Sequence, residues 1–165
     1  RQFVPLLLPA SGRIVTISSQ SEKFPSLFQP YKATKIALEA IHRTMSQELY
    51  LKGIRMALIR PGAIRTRLAG EVERLVNPVR DSIYEREFAR FAAMAPRFRG
   101  RLQSPEKAAA KIYNKVTRRH LRQVYRINNN PLLSLIAAIP DRCMMRILKM
   151  MLGRDFIRQT YHGRT

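Results

Sequence analysis

Tyr31 and Lys35 stand four residues apart, a spacing that on a helix brings both side chains out on one face as neighbours. Such a pair can act on a single ligand. A tyrosine hydroxyl titrates near about 10, and a nearby ammonium stabilises the phenolate, which moves the group toward proton transfer at neutral pH. Lys35 supplies that cation. Taken alone, the spacing far more often describes an ordinary exposed Tyr and Lys pair. No other cluster competes with it. His42, His120 and His162 lack partners at metal-ligand spacing and read as surface or satisfied residues, while the single Cys143, read as packing on the last helix, excludes an internal disulfide framework and argues against a Cys/His zinc site.

The elements that must position Tyr31 and Lys35 follow from apolar spacing and breakers. Gly12 opens a turn into Ile14, Val15 and Ile17, a β-rich run ending at Ser18 and Ser19. From Pro30 to Lys52, Ile36, Ala40, Ile41, Met45 and Leu49 recur at helical intervals, predicting a long amphipathic helix that stops before Gly53. Ile54 to Ile59 is a second strand, closed by Pro61 and Gly62. Strand, helix and strand make a right-handed βαβ unit with parallel strands. Further on, Tyr84, Phe88, Phe91 and Ala95 form a helix stripe predicted to stop at Pro96. Ser104 and Pro105 start another helix, running to about Arg119. Gln123 to Ile127 reads as a third strand, and Asn128 to Pro131 as a turn. Leu132 to Ile139 and Asp141 to Leu152 then read as two helical pieces hinged at Pro140, before a frayed final dozen residues.

In this order the residues resemble the short-chain dehydrogenase/reductase family. The resemblance rests on Ile17-Ser18-Ser19, Tyr31-Lys32-Ala33-Thr34-Lys35, Gln47-Glu48-Leu49 and Arg60-Pro61-Gly62-Ala63-Ile64-Arg65-Thr66, and is close over about residues 12 to 66. It implies a Rossmann-like, doubly wound parallel sheet and an NAD- or NADP-dependent exchange between an alcohol and a carbonyl. Tyr31 would be the proton donor or acceptor at the substrate oxygen. Lys35 would bind the nicotinamide ribose and lower the tyrosine pKa. Ser19, the second of the pair, would hold the substrate oxygen against Tyr31, while Pro61 and Gly62 pass beneath the nicotinamide and the Ile64 backbone and Thr66 hydroxyl meet its carboxamide.

The chain also departs from the family pattern. Gln20, Ser21 and Glu22 follow the serine pair where many members place a glycine, and Thr34 stands where serine is common. No Gly-rich strand-to-helix turn of the kind that cradles a pyrophosphate occurs in the 165 residues. Only the last three or so of the family's strands are found. With Arg1 in place of an initiating Met, the expectation is an N-terminally truncated excerpt in which Arg1 to Pro9 is a helix tail. Residues 1–130 would be the C-terminal part of the Rossmann-like domain and 131–165 a helical, basic extension. Alone, the piece would leave a parallel-strand edge open and fold poorly.

Charge points to possible partners. Lys and Arg number 31 against 11 Asp and Glu, a formal charge of +20, and half of the excess lies in residues 111–165. Arg142, Arg146 and Lys149 line one side of the last helix and Met145, Leu148 and Leu152 an adjacent stripe, so residues 131–152 could rest on an anionic membrane; a core-packed helix with a solvated basic face fits equally. No apolar run reaches the roughly 20 residues that span a bilayer. Arg118, Arg119, Arg122 and Arg126 could neutralise phosphates, but no nucleic-acid motif accompanies them, so no nucleic-acid partner is expected. The low cysteine content suits a reducing, cytoplasmic setting, with membrane association or homo-oligomerisation as further expectations. Leu68, Val72, Leu75, Val76, Phe88 and Phe91 suggest a lipophilic substrate, although core packing explains them as well. The competing reading is a non-catalytic relative that binds an acidic partner or a membrane surface.

Overall fold

The computed structural model describes residues 2–20, 30–67, 83–98 and 101–153. Helix α1 (Val4–Leu7) precedes strand β1 (Arg13–Ile17), helix α2 (Pro30–Tyr50) and strand β2 (Arg55–Pro61). Helices α3 (Glu85–Phe98) and α4 (Pro105–Val116), strand β3 (Val124–Ile127), and helices α5 (Pro131–Ile136) and α6 (Asp141–Leu152) follow. The three strands form one parallel sheet in the order β1-β2-β3, with Ile17 opposite Ile59 and Pro61 opposite Ile127. Parallel neighbours require crossovers, which α2 and α4 supply. The fold is α/β and Rossmann-like.

Local chemistry sets the boundaries. Gly53 closes α2 with φ +76°, a left-handed conformation that costs glycine little, and its amide donates to the Tyr50 carbonyl at 3.0 Å. Ser104 caps α4 by accepting from the Lys107 amide at 3.3 Å, with Pro105 in the first turn. Asn130 caps α5 in the same way, accepting from the Leu132 amide at 3.0 Å.

Strand β2 is buried on both sides, as a central parallel strand must be, and so reads as an almost unbroken apolar run. Ala57 and Ile59 turn one way and join Tyr125 and Ile127 in the core, with Val15, Ile112, Val116 and Leu121 packed against them. Arg60 turns the other way, to Glu39 on α2. Arg13 and Arg55, at the N-terminal ends of β1 and β2, donate to the Val116 and Arg119 carbonyls at 2.6 and 3.0 Å, which fixes the C-terminal end of α4 against the sheet. Among the described residues β1 has a strand neighbour on one side only.

Several expectations need correction. The predicted stripe on α2 does not face the sheet: Ile36, Ala40, Ile41 and Met45 are exposed and Leu49 is half-buried, while Glu39 and His42 are the buried positions. Apolar spacing misleads here because the sheet-facing side of α2 is polar and hydrogen-bonded. Helix α3 runs past Pro96 to Phe98, since a proline in the last turn sacrifices one hydrogen bond just before the helix ends. On α6, Leu152 is buried and Leu148 half-buried, but Met145 is 63% exposed. Cys143 is exposed, so its side chain is not packed. Leu68, Val72, Leu75, Val76, Arg1, Ser21, Glu22 and the final dozen residues lie outside the described residues.

Candidate active site

The catalytic and cofactor-binding candidates Ser19, Tyr31, Lys35, Pro61, Gly62, Ile64 and Thr66 lie at, or just beyond, the C-terminal ends of β1 and β2 or in the first turns of α2. Open α/β sheets bind their ligands at that edge. Pairing continues one residue past β1, where the Ser18 amide donates to the Ile59 carbonyl at 2.8 Å, and the chain then turns through half-buried Ser19. Tyr31 and Lys35 emerge together from α2. The Lys35 ammonium lies 5.5 Å from the centre of the Tyr31 ring, a cation over an aromatic face. It also donates to the Ile17 carbonyl at 3.4 Å, which ties the start of α2 to the end of β1 immediately before the serine pair. Tyr31 is 38% exposed, open to a ligand.

Pro61 is buried as the last residue of β2. Gly62 follows, donating to the Ile127 carbonyl at 2.8 Å. A Cβ on Gly62 would overlap the Asn128 carbonyl oxygen and come within 3.1 Å of Gln20 Oε1, so close packing of the chain demands glycine there. Beyond it, Ile64 forms an isolated parallel bridge with Gln103, made by the Arg65 amide to the Gln103 carbonyl at 2.8 Å and the Gln103 amide to the Ala63 carbonyl at 3.0 Å. The bridge uses its neighbours' groups and leaves the Ile64 amide and carbonyl directed elsewhere. Thr66 is exposed.

Behind α2 lies a polar layer. Glu39 and Arg60 form a two-pronged ion pair, Arg60 Nε donating to Glu39 Oε1 at 3.0 Å and Nη2 to Oε2. Burial alone would raise the Glu39 pKa; the Arg60 hydrogen bonds and charge outweigh it and hold the carboxyl below its ordinary value, helped by Ser18. Ser18 Oγ is buried with no partner of hydrogen-bond geometry among the described residues, yet its dipole still favours the nearby carboxylate. His42 Nδ1 meets Thr16 Oγ1 at 2.9 Å, and burial pushes the imidazole below its ordinary value against the opposing Glu39 charge. Tyr31, Lys35 and Glu39 recur at four-residue intervals, a signal that would have pointed to Glu39. Nothing comparable announces the partner of Gln20, whose amide reaches the backbone of Asn130.

The donor set fits the nicotinamide-ribose half of a dinucleotide. Lys35 offers an ammonium and Tyr31 a phenol on one face, and Tyr31 is open to a ligand.

This parallel α/β sheet, with its chemistry gathered at the strand ends, defines the Rossmann-like class. Residues 1–76 match the family model described as short chain dehydrogenase. A reductase of Ornithobacterium rhinotracheale, NADPH-dependent 3-dehydrocapnine reductase, is 34% identical over 79 residues, 47% of this chain and 28% of that protein. Human short-chain dehydrogenase/reductase family 9C member 7 is 26% identical over 139 residues, 78% of this chain and 44% of that protein. A solved short-chain dehydrogenase from Streptomyces avermitilis superposes with a TM-score of 0.58 at 18% identity, covering 96% of this chain and 56% of that one. The likeness is to the short-chain dehydrogenase/reductase family, carried by residues 1–76 and by the fold. Its matches span less than half the length of these two relatives.

Proposed function

We propose that the native protein is an NAD(P)-dependent oxidoreductase that interconverts an alcohol and a carbonyl on a lipophilic substrate. The observation that carries this reading is the Lys35 ammonium 5.5 Å from the Tyr31 ring, held by the carbonyl that precedes the serine pair. In reduction, Tyr31 Oη gives its proton to the substrate oxygen, and in oxidation the phenolate takes that proton back. Ser19 donates a hydrogen bond to the same oxygen and fixes its distance from Tyr31. Lys35, beside the Tyr31 ring, would hold the nicotinamide ribose. Pro61, Gly62, the Ile64 backbone and Thr66 would hold the nicotinamide. When bound, that cofactor supplies or accepts the hydride. Ile17 and Leu102, 44% and 40% exposed, favour an apolar substrate body at this edge.

The test uses the native protein with deuterated NADH and NADPH and a panel of lipophilic ketones. Transfer of one deuterium to the carbonyl carbon, to one face only, is the expected result; consumption of either cofactor without deuterium in the alcohol product would overturn the reading.

A membrane-facing role for the C-terminal helices is a second reading, favoured by Leu135, Met145 and Met150, 69%, 63% and 62% exposed beside Arg142, Arg146 and Lys149. No helix among the described residues is long and apolar enough to cross a membrane. Sedimentation with phosphatidylserine vesicles should be lost when those three cations become glutamine, and equal sedimentation would remove this second reading.

A further inference from the structure

Gln20 occupies a place where a long polar side chain has no obvious reason to be. It follows Ser19 directly and is only 6% exposed. Its Nε2 donates to the Asn130 carbonyl at 2.7 Å, and its Oε1 accepts from the Asn130 amide at 2.9 Å. The two bonds go to one backbone residue 110 positions away. The backbone donor and acceptor of a single residue therefore face an acceptor and a donor of a single side-chain amide, an arrangement that fixes the amide's orientation without ambiguity.

The route of this side chain explains what it joins. Strands β1 and β3 are not neighbours, since β2 lies between them, so their ends are about 10 Å apart at ordinary strand spacing. Gln20 spans that gap across the tip of β2, over Gly62, where an added Cβ would come within 3.1 Å of its Oε1. At the far end, Asn130 is itself anchored: its Oδ1 accepts from the Leu132 amide at 3.0 Å to cap α5. Next to it, Asn128 Nδ2 donates to the Ala63 and Arg101 carbonyls, both at 2.9 Å. Gln20 thus attaches the turn that carries Ser18 and Ser19 to a loop already fastened to the segment following β2 and to the first C-terminal helix.

We propose that Gln20 is a positioning residue, a two-bond clamp that holds Ser19 at its distance from Tyr31 by tying the end of β1 to Asn130. This rests on the proposed roles of Ser19 and Tyr31. The clamp needs a group that donates and accepts at once. A carboxylate would present a second acceptor to the Asn130 carbonyl, whereas a protonated carboxyl restores the missing donor. Protonation of a substituted glutamate should therefore rescue what its ionisation removes.

The experiment compares Gln20→Met and Gln20→Glu with wild type in the native protein, reading the pH profile of kcat, cofactor Kd and amide hydrogen exchange at Asn130. Gln20→Met should lower kcat about 10- to 100-fold at every pH, the cost of misplacing a substrate contact, with cofactor Kd changed less than about twofold because Gly62 keeps its own bond to the Ile127 carbonyl. Gln20→Glu should match it at pH 8 and recover toward wild type as the pH falls to about 5, approaching the ordinary glutamate range. Asn130 amide exchange should quicken at least about tenfold in Gln20→Met. A Gln20→Glu profile parallel to wild type, or unchanged Asn130 exchange in Gln20→Met, overturns the clamp. A Tyr31→Phe control separates the two ideas: if it keeps full turnover while Asn130 exchange responds to Gln20→Met, the assignment of Tyr31 fails and the clamp's catalytic role fails with it, leaving only the tie between loops.

Discussion

On one face of β2, Ala57 and Ile59 lie at 0% exposure against Tyr125 and Ile127, under Ile112 and Val116 from α4. On the opposite face, Arg60 reaches Glu39 and, one strand over, Thr16 meets His42, both partners borne by α2. The apolar face draws its stability from area removed from water, which is insensitive to small shifts along the strand. Charged hydrogen bonds are directional, and a two-pronged guanidinium-carboxylate pair defines distance and angle together. The difference teaches what the α2 side adds: it too buries Met56 and Leu58, but its directional bonds hold α2, which carries Tyr31 and Lys35, in register. A catalytic helix gains more from fixed position than from extra burial.

The contrast can be broken first on the apolar side. Ile59→Ala removes a fully buried side chain and should cost about 2–5 kcal/mol in urea denaturation of the native protein, mainly as a lower midpoint. On the polar side, Glu39→Ala removes the carboxylate from the Arg60 guanidinium, whose side chain is 14% exposed, and should cost about 1–3 kcal/mol. Adding Arg60→Met should return part of that loss, because the buried charge that lost its carboxylate is then removed as well. An additive double mutant would show that the pair does not couple α2 to β2.

The smallest effect sharpens the comparison through pH. The His42 pKa is lowered in the folded state from 6.5, so below that value the unfolded chain binds the extra proton first. Its contribution is intact above about 6.5 and drains away as pH falls toward the lowered folded value. Glu39, also lowered, keeps its contribution above 4.5 and loses it as acid brings the pH down through its folded value. Thermal stability should therefore decline in two stages on acidification. His42→Gln should flatten the first and leave the second; a first stage that persists would place its origin elsewhere.

Much of the fold was legible because the strands are short apolar runs bounded by Gly, Pro and paired Ser, and one helix start carries its cap in the sequence, Ser104-Pro105. The pair Tyr31 and Lys35 was legible for a similar reason: helical spacing alone makes them neighbours. The buried side of α2 was not, because a search for apolar periodicity selects Ile36, Ile41 and Met45 and passes over a face satisfied by Glu39, His42 and Lys35. Gln20 and Asn130 were beyond reach, since nothing local in a sequence records a bond spanning 110 positions. Gly62 was read for its nearness to a cofactor, whereas the Asn128 carbonyl already explains the missing side chain.

The measurement closest to the central claim is turnover of the native protein with Tyr31→Phe, cofactor binding being followed in the same samples by fluorescence. The phenol moves the proton, so kcat should fall by about 10²- to 10⁴-fold while the cofactor still binds. Undiminished turnover in that variant would contradict the assignment of Tyr31, and with it the account of what Lys35 and Ser19 do.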